Sequence, residues 1–178
     1  MGLTRIRNRA IGTDVETGAI VQVKQTTFTG TNSYAHTANV NLKITDLAVD
    51  ITPVYSNSII KLEAFVTGEN QNTASNYNTG WFFYRDDTVL AAATAGSRLS
   101  GIQMGTNITI YTSDAGSTPE NAAYMYFDSP GTTSQITYTV GYVSAYTSSW
   151  FLNRTVSDLD STAYERGIST ICATEIKA

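Results

Sequence analysis

The sequence predicts an all-β protein: an antiparallel β-sandwich, jelly-roll-like, with a short extended N-terminal arm. Three observations predict it. Apolar and polar residues alternate with period two in run after run, Gly, Pro, Asn, Asp and Ser punctuate the runs, and no segment has the periodicity of a long amphipathic helix. Composition agrees, because 11 Tyr and 6 Phe stand beside only 3 Pro and 3 Met, and aromatic side chains suit a pleated, half-buried surface. About nine to eleven short strands with turns between them fold as a sandwich or jelly roll. No internal repeat suggests a propeller or solenoid.

The chain has 178 residues, enough for one domain that buries roughly two-thirds of the surface its unfolded form exposes. We divide it into an arm over 1–18 and a sandwich over 19–178. Gly12, Asp14 and Gly18 break the arm into turns, and Arg5, Arg7 and Arg9 alternate along it. Such a segment either frays, as termini do, or docks on a neighbouring subunit with its arginines against carboxylates.

From Ile20, Val21 and Val23 alternate with Gln22 and Lys24, giving a strand to about Phe28. Gly30 to Ala38 reads as a polar loop containing His36. Val40, Leu42 and Ile44, then Leu47, Val49 and Ile51, form either two half-buried strands meeting near Thr45-Asp46 or one strand with a bulge there. Pro53 ends the pairing by removing an amide donor. After the Ser56-Asn57-Ser58 turn, Ile60, Leu62, Ala64 and Val66 alternate with Lys61 and Glu63. Glu69 to Thr79 reads as a polar loop.

Trp81 to Leu90 is the organising stretch. Trp81 and Phe83 share one face and Phe82 and Tyr84 the other, as in a central strand covered on both sides; Arg85-Asp86-Asp87 then turns the chain back into Val89-Leu90. Residues 91–96 suit a helical turn, a small-residue strand or a loop equally. Leu99 to Met104 and Asn107 to Thr112 read as short strands, Ser113 to Asn121 as a loop, and Tyr124 to Phe127 as a strand. Asp128-Ser129-Pro130-Gly131 is a turn signature. Ile136, Tyr138, Val140 and Tyr142 form the cleanest alternation in the chain. Trp150-Phe151-Leu152, the polar span 153–166 and a last strand over 167–176 complete it.

Charge and motifs narrow the function. Net charge is −4, and without the three arm arginines residues 10–178 hold 8 basic against 15 acidic groups. An acidic body is a poor partner for nucleic acid, whose phosphates demand Lys and Arg. No run of apolar residues approaches a membrane span or a signal-peptide core. Cys172, the single cysteine, is expected buried and inert. His36 lacks the surroundings of a nucleophile elbow, and the pairs Asp86-Asp87 and Asp158/Asp160 read as turn formers rather than metal ligands. No catalytic, metal or cofactor site is expected. The sequons at Asn107 and Asn153 are weak matches. Tyr77, Tyr111, Tyr146 and Trp150 lie near predicted loops, where a flat amphipathic ring could stack on a sugar or fill a partner's pocket, or else pack at sheet ends or between subunits.

Several short motifs, in order, resemble a β-sandwich module of tailed-bacteriophage virion proteins. They are Ile20-Val21-Gln22-Val23-Lys24-Gln25; Ile51-Thr52-Pro53 followed by Ile59-Ile60-Lys61-Leu62; Phe82-Phe83-Tyr84-Arg85-Asp86; Gly96-Ser97-Arg98; Asp128-Ser129-Pro130; and Phe151-Leu152-Asn153-Arg154 with Tyr164, Arg166 to Thr170 and Glu175-Ile176. The resemblance covers about 20–178. It implies a homotrimer that decorates the capsid exterior as a cement protein against the major capsid protein, or a distal tail-fibre or tailspike module binding a host receptor or surface glycan, in either case without catalytic residues. Nothing in the sequence before the module resembles a fibre shaft or attachment domain, which favours the decoration protein.

Overall fold

The computed structural model describes residues 18–71, 75, 77–94, 96–108 and 116–178, with backbone alone at 107 and 108. Twelve strands follow in chain order among them: β1 (Ile20–Phe28), β2 (Asn32–His36), β3 (Leu42–Ile51), β4 (Ile59–Asn70), β5 (Thr79–Arg85), β6 (Thr88–Leu90), β7 (Gln103–Met104), β8 (Asn107–Ile108), β9 (Glu120–Asp128), β10 (Ile136–Ser144), β11 (Ser148–Leu152) and β12 (Ser169–Ile176). They form two antiparallel sheets packed face to face. One contains β1, β2, β4, β8, β9, β11 and β12, the other β3, β5, β6, β7 and β10. The chain is therefore an all-β sandwich; the 1–18 arm lies outside the described residues up to 17.

The aromatic hairpin sits where the alternation places it. β5 lies between β10 and β6, with Trp81 and Phe83 in the core between the sheets and Phe82 and Tyr84 on the outer face, packed with Val143, Ala91, Leu99 and Ile102. Asp86 makes the turn at φ 51°; its N–H donates to the Thr137 carbonyl at 2.8 Å and its carboxylate accepts the Thr137 N–H at 3.0 Å. β10 is buried on both faces. Gly141 is glycine there because a Cβ would lie 2.3 Å from Cε2 of the buried Phe82 ring.

The break of phase at Thr45-Asp46 is a bulge in one long strand. Thr139 pairs with Ala48 while the next residue, Val140, pairs with Ile44, so β3 accommodates extra residues that turn Leu47 into the core. The Tyr34 hydroxyl fills the gap, accepting the Asp46 N–H at 2.9 Å and donating to the Asp46 carboxylate at 2.7 Å. Two expected loops are corrected. Residues 32–36 are strand β2, paired with β11, and His36 is a buried strand residue. β4 continues through Glu69 and Asn70, both buried, because β11 and β9 flank its far end.

The seven-stranded sheet contains two interrupted long strands. β11 and β12 both run antiparallel to β4, along 68–70 and 59–65 respectively, and β2 and β1 follow them in the next position. The interruptions coincide at Asn153, which is 1% exposed and holds φ 60°. Its amide nitrogen donates to the carbonyls of Phe28 (2.7 Å) and Gly30 (2.8 Å), and its side-chain oxygen accepts the Ser169 hydroxyl at 2.6 Å. Its backbone N–H donates to the Thr67 carbonyl and its own carbonyl accepts the Gly167 N–H. The side chain thus joins the ends of β1 and β12, while the backbone of the same residue holds β4.

Glu175 closes the opposite end of β12. Fully buried, it accepts hydrogen bonds from Gln22 Nε2 (2.6 Å), Ser58 Oγ (2.7 Å) and the N–H groups of Val54 (2.8 Å) and Tyr55 (3.2 Å). Burial pushes its carboxyl up, but these donors outweigh burial and hold it below the ordinary glutamate value of 4.5. A depressed folded-state value means that this stabilisation is present above the unfolded value and is lost as pH falls through the folded one. Glu175→Gln is expected to cost about 1.5–3 kcal/mol at pH 7, the usual worth of a charged hydrogen-bonding group. Urea melts of both proteins between pH 7 and pH 3 should show the difference narrowing below 4.5.

Candidate functional site

The outer face of the five-stranded sheet carries an open cleft of about 670 Å³. Its floor is apolar, formed by Val89 of β6 and Val143 of β10. One wall is a strap formed by 91–94 and 96–102 against the sheet: Leu99 and Ile102 pack on the Phe82 side of β5, and the Ile102 N–H donates to the Trp81 carbonyl at 2.7 Å. The strap approaches so closely that Gly101 has room for no side chain, since a Cβ would meet Gly80 and the Trp81 backbone at 3.0 Å. The Ser100 hydroxyl donates to the Ala92 carbonyl and closes the strap on itself.

The other wall is the turn carrying Asn39 and Asn41, pinned by His36. The ring Nδ1 of His36 lies 3.0 Å from the Tyr146 carbonyl and Nε2 lies 2.8 Å from the Val40 carbonyl. The Asn39 N–H donates to the Ser144 carbonyl at 2.7 Å, with Asn39 itself at φ 61°, a left-handed conformation that asparagine tolerates better than most residues. His36 also packs edge-on against Tyr142, 5.1 Å between ring centroids. Its position is that of a brace for the cleft wall.

Amides of Asn39 and Asn41, hydroxyls of Thr94, Ser97 and Ser100 and the Arg98 guanidinium line this cleft. Polar side chains over an aliphatic floor are a combination suited to a hydroxylated ligand such as a saccharide. Among the described residues, no Asp, Glu, His or Cys lines it. No group of three or more such residues that could hold a metal occurs among the described residues, and no helix among them is long and apolar enough to cross a membrane.

The singled-out residues separate. Arg5, Arg7, Arg9 and Tyr111 lie outside the described residues. Tyr77 and Tyr146 are exposed and flank one end of the sandwich, where the Ala145 N–H donates to the Asn78 carbonyl; the His36 contact joins this end to the cleft wall. Trp150 does not belong with them. It is fully buried, edge-on to Trp81 at 5.0 Å, because Trp150 and Leu152 take the inward positions of β11. Cys172 is also corrected: it is partly exposed rather than buried, since Ile171 and Ala173 point inward from β12. The Asn153 sequon is closed by burial.

The cleft residues were missed in the sequence except as part of Gly96-Ser97-Arg98. Glu69 was missed too: buried, it accepts N–H groups of Val156 (2.6 Å), Gly116 (3.2 Å) and Thr118 (3.2 Å), and so ties two connecting segments to β4. No protein-family model matches the chain, and no curated protein matches it.

Proposed function

We propose that the protein is a structural component of a tailed-phage virion: a homotrimeric decoration protein, made in the host cytoplasm, that cements the outer capsid surface by contact with the major capsid protein. One observation carries this reading. Two of the short motifs of the resemblance, far apart in sequence, meet in space across the sandwich. Arg85 Nη1 from the aromatic hairpin lies 3.0 and 3.1 Å from the two carboxylate oxygens of Asp128 in the Asp-Ser-Pro turn, clamping one sheet to the other. The Tyr138 hydroxyl donates to the same carboxylate at 2.7 Å; burial first, and the Asp128 contact with it, push that hydroxyl's pKa up and keep its proton in place. Asn153 and Ser169, the two ends of the closing motif, also meet. In this reading the protein works by contact rather than by chemistry, and Arg5, Arg7 and Arg9 strap it to acidic groups of its neighbours. Particles assembled without the protein should lose infectivity faster on heating than complete particles; equal survival would overturn the cementing role.

The cleft favours a second reading, a distal tail-fibre or tailspike module that binds a host receptor or glycan. A glycan array probed with the intact protein should then give a signal that Asn41→Ala and Arg98→Ala abolish. A blank array counts against it.

A further inference from the structure

The outer face of the seven-stranded sheet is, we propose, the surface through which copies of this chain associate. The inference deepens the homotrimer of the reading above and rests on it only for the number three. Register alone defines the face. Thr27, Thr170, Phe65 and Ala123 form one cross-strand row, Gln25, Cys172, Glu63 and Met125 the next, and Val23, Thr174, Lys61 and Phe127 the third. Their neighbours Ile60, Leu62, Ala64, Val66, Ile171 and Ala173 fill the core, so these rows point away from it.

This face is unusual for a solvated sheet, whose outward positions are ordinarily polar. Val23 is 53% exposed, Phe65 47%, Met125 49% and Phe127 53%. Phe65, Met125 and Phe127, neighbours on β4 and β9, together present on the order of 300 Å² of apolar area, within the range of the largest patches on a monomer. Four strands at about 4.8 Å spacing, up to nine residues long, give a face on the order of 600 Å². That approaches the ~800 Å² each partner contributes to a standard interface.

Charge selects the partner. The three rows contain one cation and one anion, Lys61 and Glu63, 2.8 Å apart, so the face is neutral although the chain carries −4. Copies therefore meet here without the like-charge penalty that other surfaces of an acidic body impose. A basic partner would find no net charge to recognise.

The test uses the full chain without capsids. Sedimentation equilibrium should give a multiple of the 19.2 kDa chain mass, and Phe65→Glu and Met125→Glu should each reduce it to one chain, whereas Val54→Glu, an exposed residue outside the rows, should not. Cys172, in the middle row, reports independently: its reaction with a thiol reagent should be slow in the assembled protein and at least tenfold faster in Phe65→Glu. Circular dichroism checks that the variants remain folded. A monomeric parent protein, or face variants that keep the parental mass, would overturn the inference. A mass of two chains would support the face and overturn the trimer; three would support both.

Discussion

Replacing Trp150 by alanine is expected to destabilise the protein by about 3–5 kcal/mol, the range for truncating a fully buried large aromatic. For a domain of this size that corresponds to a melting temperature lower by roughly 10 °C, read by thermal unfolding. Trp150 belongs to an aromatic cluster with Trp81 and Tyr142, at centroid distances of 5.0 and 6.1 Å, and it packs so closely on β4 that a Cβ at Gly68 would lie 2.9 Å from its ring. Its indole N–H has no acceptor among the described residues, so the loss comes from packing. Tyr77→Ala and Tyr146→Ala should stay within about 0.5 kcal/mol of the parent, as exposed substitutions do, because His36 holds the Tyr146 carbonyl rather than its ring. Equal effects at all three positions would contradict the division of these aromatics into core and surface.

Asn153→Ala is expected to cost about 3 kcal/mol. The substitution leaves the Phe28 and Gly30 carbonyls and the Ser169 hydroxyl without their shared partner, and a buried polar group left unsatisfied costs about 1–3 kcal/mol. Alanine must also hold φ 60°, a left-handed conformation that costs about 1–2 kcal/mol. Asn153→Gly removes the same hydrogen bonds but not the conformational freedom, so it should be the milder variant by about 1 kcal/mol. Denaturant midpoints of the three proteins measure both quantities. If alanine and glycine prove equivalent to asparagine, the joint between the broken strands is not held by this side chain.

These two residues also show how far the sequence could be read. The existence of the strands was legible: Ile20–Phe28, the Trp81–Leu90 hairpin and the run from Ile136 all lie where alternation put them, although in β1 the side carrying Val23 turns outward while Phe28 packs on the core. Trp150 was legible in principle, since it alternates with Phe151 and pairs in phase with Leu152; its place near a predicted loop outweighed that signal. The same alternation through Ile171 and Ala173 turns Cys172 outward. By contrast, β2 carries Asn32, Ser33 and His36 and shows little apolar period, because its order comes from pairing with β11 and from hydrogen bonds rather than from a buried stripe. Asn153 acquires its role from three strands that are distant in sequence. The cleft likewise exists only where the strap carrying 96–102 lies beside the turn at Asn39, a juxtaposition that local patterning does not encode.

The measurement closest to the central claim is co-sedimentation of the purified protein with cognate phage capsids lacking decoration, compared with the same protein carrying Arg5→Ala, Arg7→Ala and Arg9→Ala together. The account predicts saturable retention of the parent protein on the capsids and loss of most of that retention in the triple variant. A protein that stays in the supernatant at every concentration, while remaining folded, would contradict it.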